Sequence, residues 1–180
     1  MSERSTAAGD GTPRAAEGLE YRYDLAEDLP AVRDLFLEYA GSIGIDLSFQ
    51  GFDAELASLP GKYAPPHGTL ILARKDGEPC GCVALRPIDD GTCEMKRLFV
   101  RPEHRGLKVG VELVRRLIEA AEARGYRAMR LDTLQTMSRA AALYQSFGFR
   151  DIEPYIYNPV PGARFMERAL QPRSARKPSP

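Results

Sequence analysis

The residues best equipped for chemistry lie in one stretch, Cys93 to Gly110, CEMKRLFVRPEHRGLKVG. Within it, Arg105-Gly106-Leu107-Lys108-Val109-Gly110-Val111 leads into a run where Leu113, Val114, Leu117, Ile118 and Ala121 recur at helical spacing, so a helix begins near Val109 or Gly110. The first N–H groups of a helix lack intrahelical acceptors, and with the positive end of the helix dipole they form an anion site. Arg105 and Lys108 reinforce it, and glycines at both ends let a phosphate approach the backbone closely. The lysine–hydroxyl pair of a P-loop is missing and no GxGxxG occurs, so the pattern indicates a phosphate but not a nucleoside triphosphate.

The strand that feeds this turn changes parity. Its apolar side chains fall on odd positions at Cys93 and Met95 and on even ones at Leu98 and Val100. Side chains alternate faces along a strand, so keeping all four on one face requires an extra residue near Lys96-Arg97, a β-bulge. A bulge leaves backbone N–H and C=O groups without a ladder partner, and a ligand shaped like an extended peptide would supply one. The alternative is a plain edge strand whose Glu94, Lys96 and Arg97 face water.

Together, the strand, Arg105-Gly106-x-x-x-Gly110, the amphipathic helix, the strand Met129 to Thr133 and Ala142-Leu143-Tyr144-x-x-x-Gly148-Phe149 resemble the GCN5-related N-acetyltransferases (GNAT) over about Leu19 to Leu170. The resemblance implies an acyltransferase that moves an acetyl group from acetyl-CoA, its co-substrate, to a primary amine, small molecule or peptide, by direct transfer in a ternary complex. On that reading the turn Arg105 to Val111 takes the pyrophosphate, and Leu98, Phe99 and Val100 offer backbone groups to pantetheine. An N–H near the bulge would polarise the thioester carbonyl. Deprotonating an amine with the pKa of lysine costs on the order of 4 to 5 kcal/mol at neutral pH, so a base is useful, and Glu94 is the candidate. The alternative for Glu94 is a solvated or ion-paired strand residue. Tyr144 matches the tyrosine that protonates the leaving thiolate in the family; by spacing alone it also suits a core position.

The chain departs from the family pattern twice. Lys108 stands where relatives often have a third glycine, so its turn must accept a side chain. Met137 stands where many relatives have an asparagine, and it is given no catalytic role. In the family, a helical pair corresponding to Ile45 to Tyr63 walls the acceptor pocket. Arg86, Lys96, Arg97, Tyr155 and Tyr157 are expected near its mouth, suiting a carboxylate-bearing amine unless the basic residues pair with Glu94, Asp89 and Asp90.

The elements that must position these groups follow from periodicity and turn chemistry. A strand near Leu19 to Asp24 precedes a helix with Pro30 in its first turn and an apolar stripe of Val32, Leu35, Phe36 and Tyr39, ended by Gly41 and Gly44. A short helix carries Phe52, Leu56 and Leu59 up to Pro60-Gly61. Asp76-Gly77 between Thr69–Arg74 and Cys80–Arg86 signals a hairpin, and a second turn at Asp89 to Gly91 makes an antiparallel meander of three strands. Helix Gly110 to Arg124, strand Ala128 to Thr133 and helix Ser138 to Phe147, capped by Gly148, follow, the connection favouring a parallel neighbour. Strands at Arg150 to Ile152 and Ala163 to Leu170 complete an α/β (α+β) fold. Its sheet is mixed, mostly antiparallel and twisted, with six to seven strands and helices on both faces.

Composition sets the limits. With 180 residues, one domain over residues 18–170 is expected, with polar tails at 1–17 and 171–180 too poor in apolar side chains to order themselves. Lysine plus arginine, 25, equals aspartate plus glutamate, 25, so no net field draws the chain to nucleic acid or membrane. Arg115, Arg116, Arg124, Arg127 and Arg130 are interspersed with Glu112, Glu119, Glu122 and Asp132, the pattern of a solvated face. Neither a signal h-region nor a bilayer-length apolar run occurs, so a soluble cytoplasmic protein is expected. Three cysteines, two of them expected on one strand face in Cys80-Gly81-Cys82, read as buried thiols, and neither His67 nor His104 has ligand spacing for a metal. Exposed strand edges leave a homodimer open. A non-catalytic acyl-CoA sensor or regulatory module of the same fold is the other functional reading.

Overall fold

A computed structural model describes residues 17–23 and 26–172. The two expected tails fall almost wholly outside the described residues, as does Asp24.

The chain forms a seven-stranded sheet in the order β1-β2-β3-β4-β5-β7-β6. The strands are β1 (Leu19–Arg22), β2 (Thr69–Lys75), β3 (Glu78–Pro87), β4 (Thr92–Val100), β5 (Ala128–Leu134), β6 (Arg150–Ile152) and β7 (Ala163–Ala169). Among the described residues only β4 and β5 pair in parallel. Asp76 and Gly77, at φ 50° and 85°, make the two-residue turn joining β2 to β3, a conformation Asp-Gly supports and most residues resist.

Among the described residues, four α-helices cover the sheet. On one face lie α1 (Leu29–Ile43) and α2 (Phe52–Ala57). Gly41 sits inside α1, and Gly44, at φ 65°, ends it alone. Leu35, Phe36, Phe52 and Leu56 pack there on Leu72, Ala84 and Phe99 of the sheet. The other face carries α3 (Val109–Ala123) and α4 (Ser138–Ser146). Leu113, Val114, Leu117 and Ile118 of α3 are buried at the predicted spacing, each worth about 1.5–3 kcal/mol. Among the described residues no helix is long and apolar enough to cross a membrane.

The expected bulge is present. Cys82 pairs with Phe99 and Ala84 with Lys96, so one residue of β3, Val83, faces two of β4, Arg97 and Leu98. Arg97 takes the left-handed conformation, φ 58°, unusual for a side chain this size. In consequence Cys93, Met95, Leu98 and Val100 all pack on the α3 face. The plain-edge alternative fails: Glu94, Lys96 and Arg97 are 1%, 5% and 4% exposed.

A second bulge went unread. Ala73 pairs with Gly81 but Arg74 with Pro79, which inserts Cys80 as an extra residue. Cys80 therefore packs on the α3 face and Cys82 on the α1 face, so the expectation of one shared face is corrected. All three thiols are buried and free.

Candidate active site

Parallel pairing of β4 with β5 covers Thr92, Cys93 and Glu94 against Ala128, Met129 and Arg130, and it stops there. Beyond it the strands diverge, because the bulge at Arg97 twists β4 away. Two cavities occupy the opening and meet at Leu98 and Met137, which line both.

The larger, about 740 Å³, runs between β4 and the start of α3. Leu98, Phe99 and Val100 form one wall, and Arg105, Gly106, Lys108, Val109, Gly110 and Val111 form another. Leu107, the remaining member of the predicted stretch, packs instead against the α3-face core. Gly106 lies at φ 96°, where side chains are strained, although no atom would meet its Cβ. Lys108 accepts φ 60° immediately before the helix, so the turn does hold a side chain where relatives often place glycine. Arg105 Nε donates to the Val100 carbonyl, tying the turn to the strand. Ser138, Arg139 and Leu143 of α4 close the far side. Sequence reasoning did not assign them, because nothing local marks a helix start as facing another helix start.

The smaller cavity, about 40 Å³, passes through the sheet. On the α1–α2 side it is lined by Tyr39, Gln50, Lys96, Arg97, Asp132 and Asn158, and on the α4 side by Leu131, Thr133 and Tyr144. The Tyr144 ring packs edge-on against Phe149, at 5.9 Å between centroids. Its hydroxyl forms no hydrogen bond among the described residues, and burial, then the nearby Tyr39 and Asp132, push its pKa up. It stays a protonated donor well past neutral pH.

A continuous network of buried charge frames this passage. Lys96 Nζ lies 2.9 Å from Asp132 Oδ1 and 3.6 Å from Glu94 Oε1. Arg97 meets Glu55 through Nε and Nη2 at 3.0 and 2.7 Å, donates from Nη1 to Gln50 Oε1 at 2.9 Å, and stacks over Phe52 and Tyr39. Gln50 and Asn158 in turn donate to Asp132 Oδ2. Burial alone would raise the Asp132 carboxyl, but the Lys96 charge and the hydrogen bonds from Lys96 and Asn158 outweigh it and hold the group below its usual value.

Glu94 is in this network but not on the cavity wall. Arg86 Nε and Tyr155 Oη donate to its two oxygens at 2.6 and 2.8 Å. Its ion-paired alternative is the state observed. Of the other groups expected at the mouth, Arg86 pairs with Glu94, Lys96 with Asp132 and Arg97 with Glu55. Asp89 caps its own turn, accepting from Gly91 and Thr92 N–H. Tyr157 is 78% exposed. Gln50 and Glu55 lie in the segment Ile45 to Tyr63 expected to wall the pocket but were not singled out, and Asp132 and Asn158 were given no place in it, because the four converge from separate segments. Arg115, Arg116 and Arg130 pair with Glu112, Glu119 and Glu167, as a solvated face does.

The profile of the Acetyltransferase (GNAT) family matches residues 29–149. An uncharacterised N-acetyltransferase of Schizosaccharomyces pombe is 50% identical over 144 residues, covering 79% of this chain and 88% of that protein. Among solved structures, an acetyltransferase from Streptococcus agalactiae superposes with a TM-score of 0.72 at 24% identity, over 86% of this chain and 99% of the other. A GNAT family acetyltransferase from Elizabethkingia anophelis with acetyl-CoA bound superposes at 0.63 and 24%, with the same coverage. A bulged fourth strand, an opening between β4 and β5 and a long matched stretch thus agree, and the chain belongs to the acetyltransferase (GNAT) family.

Proposed function

We propose that this enzyme transfers an acetyl group from acetyl-CoA to a primary amine, with both substrates meeting between the splayed ends of β4 and β5. The observation that carries this reading is the pair of cavities joined at Leu98 and Met137. The larger suits a long, partly anionic, amide-bearing molecule: it has Arg105, Lys108 and Arg139 on its walls, the first-turn N–H groups of α3 at one end and a strand edge along its side. A CoA thioester supplies the activated acetyl group. Arg105, Lys108 and the turn Gly106–Val111 would hold its pyrophosphate, and Leu98, Phe99 and Val100 its pantetheine arm.

The smaller cavity is where the amine arrives. Two cations, Lys96 and Arg97, and one anion, Asp132, line it. Asp132 and Glu55 match those cations, so burial in the narrow passage, not a net positive field, disfavours an ammonium, and the amine enters having left its proton to solvent. Glu94 holds Lys96 and receives the Tyr155 hydroxyl, which makes it a positioning residue for this step rather than the direct base. Tyr144, on the α4 side, donates the proton that the departing thiolate requires. N–H groups freed by the bulge polarise the carbonyl as charge develops on it. The three free, buried cysteines suit a reducing compartment, and we place the protein in the cytoplasm.

Incubating the enzyme with acetyl-CoA and a panel of primary amines, with thiol release followed continuously and products identified by mass, tests this. Release that depends on an amine supports the enzyme. Thermal stabilisation by acetyl-CoA with no amine-dependent release would instead make the protein a sensor of the same fold.

A further inference from the structure

A third cavity, of about 260 Å³, lies on the α1–α2 face beside the smaller one, and Gln50 lines both. Its wall comes from residues 50–63, and among the described residues Arg86 of β3 is the sheet's one contribution to it. Arg86 is committed on one edge. Its Nε donates to Glu94 Oε2 at 2.6 Å, directly across the strand pair, while neither Nη atom donates to any group among the described residues. A guanidinium carries five N–H donors in a planar fork, so the four on Nη1 and Nη2 remain for a partner that brings two oxygens side by side. With 23% of its side chain exposed, Arg86 is reachable from the cavity and still partly shielded from water.

The other lining groups leave that place open. Glu55 gives its two oxygens to Arg97 and the Tyr63 hydroxyl, and the Ser58 hydroxyl donates to the Ala54 carbonyl. Lys62, on the same wall, has no carboxylate partner among the described residues, so one positive charge is left over here and none in the neighbouring passage, where Asp132 and Glu55 answer Lys96 and Arg97. The expected pairing of the basic residues therefore holds but is incomplete at Arg86. Position follows from register. Val83 faces the bulge, and Arg86 stands three residues further along β3, about 10 Å at about 3.3 Å per residue. A hydrogen bond takes about 3 Å of that, which leaves about 7 Å, the extended length of two peptide residues.

Resting on the acetyltransferase reading, we infer that this cavity is a second acceptor subsite that takes a free carboxylate, held by the Nη edge of Arg86 and by Lys62, about two peptide residues from the reacting amine. An α-amino acid is too short to reach both places. A short peptide, or an amine of equal length ending in a carboxylate, reaches them, and the same molecule capped as an amide loses the charge that the site reads.

Replacing Arg86 would also strip Glu94 of its partner, so the charge is removed from the ligand instead. The first experiment needs no acetyl-CoA. In the full chain, the Arg86 Nε–H resonance is followed by NMR while glycylglycine or glycylglycinamide is added at equal pH and ionic strength. A shift with the acid that is absent with the amide is expected. Equal shifts with both, or none with either, overturn the subsite. The second measures KM at saturating acetyl-CoA. Glycylglycine should have a KM about threefold to tenfold below that of glycylglycinamide, Lys62→Met should bring that ratio toward one, and glycine should gain nothing over glycinamide. A ratio near one in the parent, a ratio that Lys62→Met leaves untouched, or a greater preference for the acid with glycine than with glycylglycine contradicts the assignment. If acetyl-CoA fails to raise the melting temperature of the parent protein, the acetyltransferase reading fails, whereas the NMR titration still judges the carboxylate seat.

Discussion

Replacing Tyr144 by Phe removes one oxygen and nothing else. That oxygen forms no hydrogen bond among the described residues, and the ring's edge contact with Phe149 needs only carbon, so the change leaves no protein group unpartnered. Stability should stay within about 0.5 kcal/mol of the parent. Catalysis should not. Proton donation by a placed side chain contributes on the order of 10²–10⁴ in rate, which is about 3–5 kcal/mol of barrier. Burial raises the Tyr144 pKa, so the hydroxyl remains protonated through the working range, and an alkaline limb in kcat at the ordinary tyrosine value of about 10 is not expected from it. The assay is continuous thiol release at saturating acetyl-CoA, paired with melting curves with and without acetyl-CoA. A drop in kcat with unchanged thermal stabilisation by acetyl-CoA is the expected result. An unchanged kcat would remove Tyr144 from the reaction, and equal losses of kcat and of stabilisation would make it a packing residue.

Other perturbations report on the frame. Glu55→Ala leaves the buried Arg97 guanidinium without its carboxylate, which should cost about 3–5 kcal/mol and lower the melting temperature by roughly 6–20 °C, whereas Glu55→Leu combined with Arg97→Met should recover much of it. Gly106→Ala meets no neighbour but must hold φ 96°, so about 1–2 kcal/mol of strain should appear in melting, together with a higher KM for acetyl-CoA. Because the folded-state pKa of Asp132 is depressed, its contribution to stability is present above the ordinary carboxylate pKa, about 3.9, and is lost as pH falls through the lower folded value. Urea titrations should therefore show a gap between parent and Asp132→Asn that is constant above about pH 5 and narrows below about pH 4.

Features written in neighbouring residues were legible in the sequence. The parity change from Met95 to Leu98 announces the bulge because alternation is a local constraint, and Asp76-Gly77 announces its hairpin for the same kind of reason. The bulge at Cys80 left no such trace, since Cys80 and Cys82 suit either face equally well. Charge misled most. Glu94, Lys96 and Arg97 look like a solvated edge until Glu55, Asp132 and Arg86 arrive from other elements to match them. The smaller cavity draws on Gln50, Asp132 and Asn158, and the separation of 82 in sequence between the first two is beyond the reach of any periodicity. The lining of the larger cavity was legible because a strand, a turn and a helix start lie within one continuous stretch. The smaller cavity needed the fold.

Amide hydrogen exchange, resolved by residue, with and without CoA, probes the shared geometry most directly. Slowed exchange confined to the β5-facing amides of Leu98–Val100 and the first turn of α3, Lys108–Val111, is the expected pattern. Protection that skips the opening between β4 and β5, or that gathers at the apolar hollow around Leu29, Tyr63 and Leu70, would contradict it.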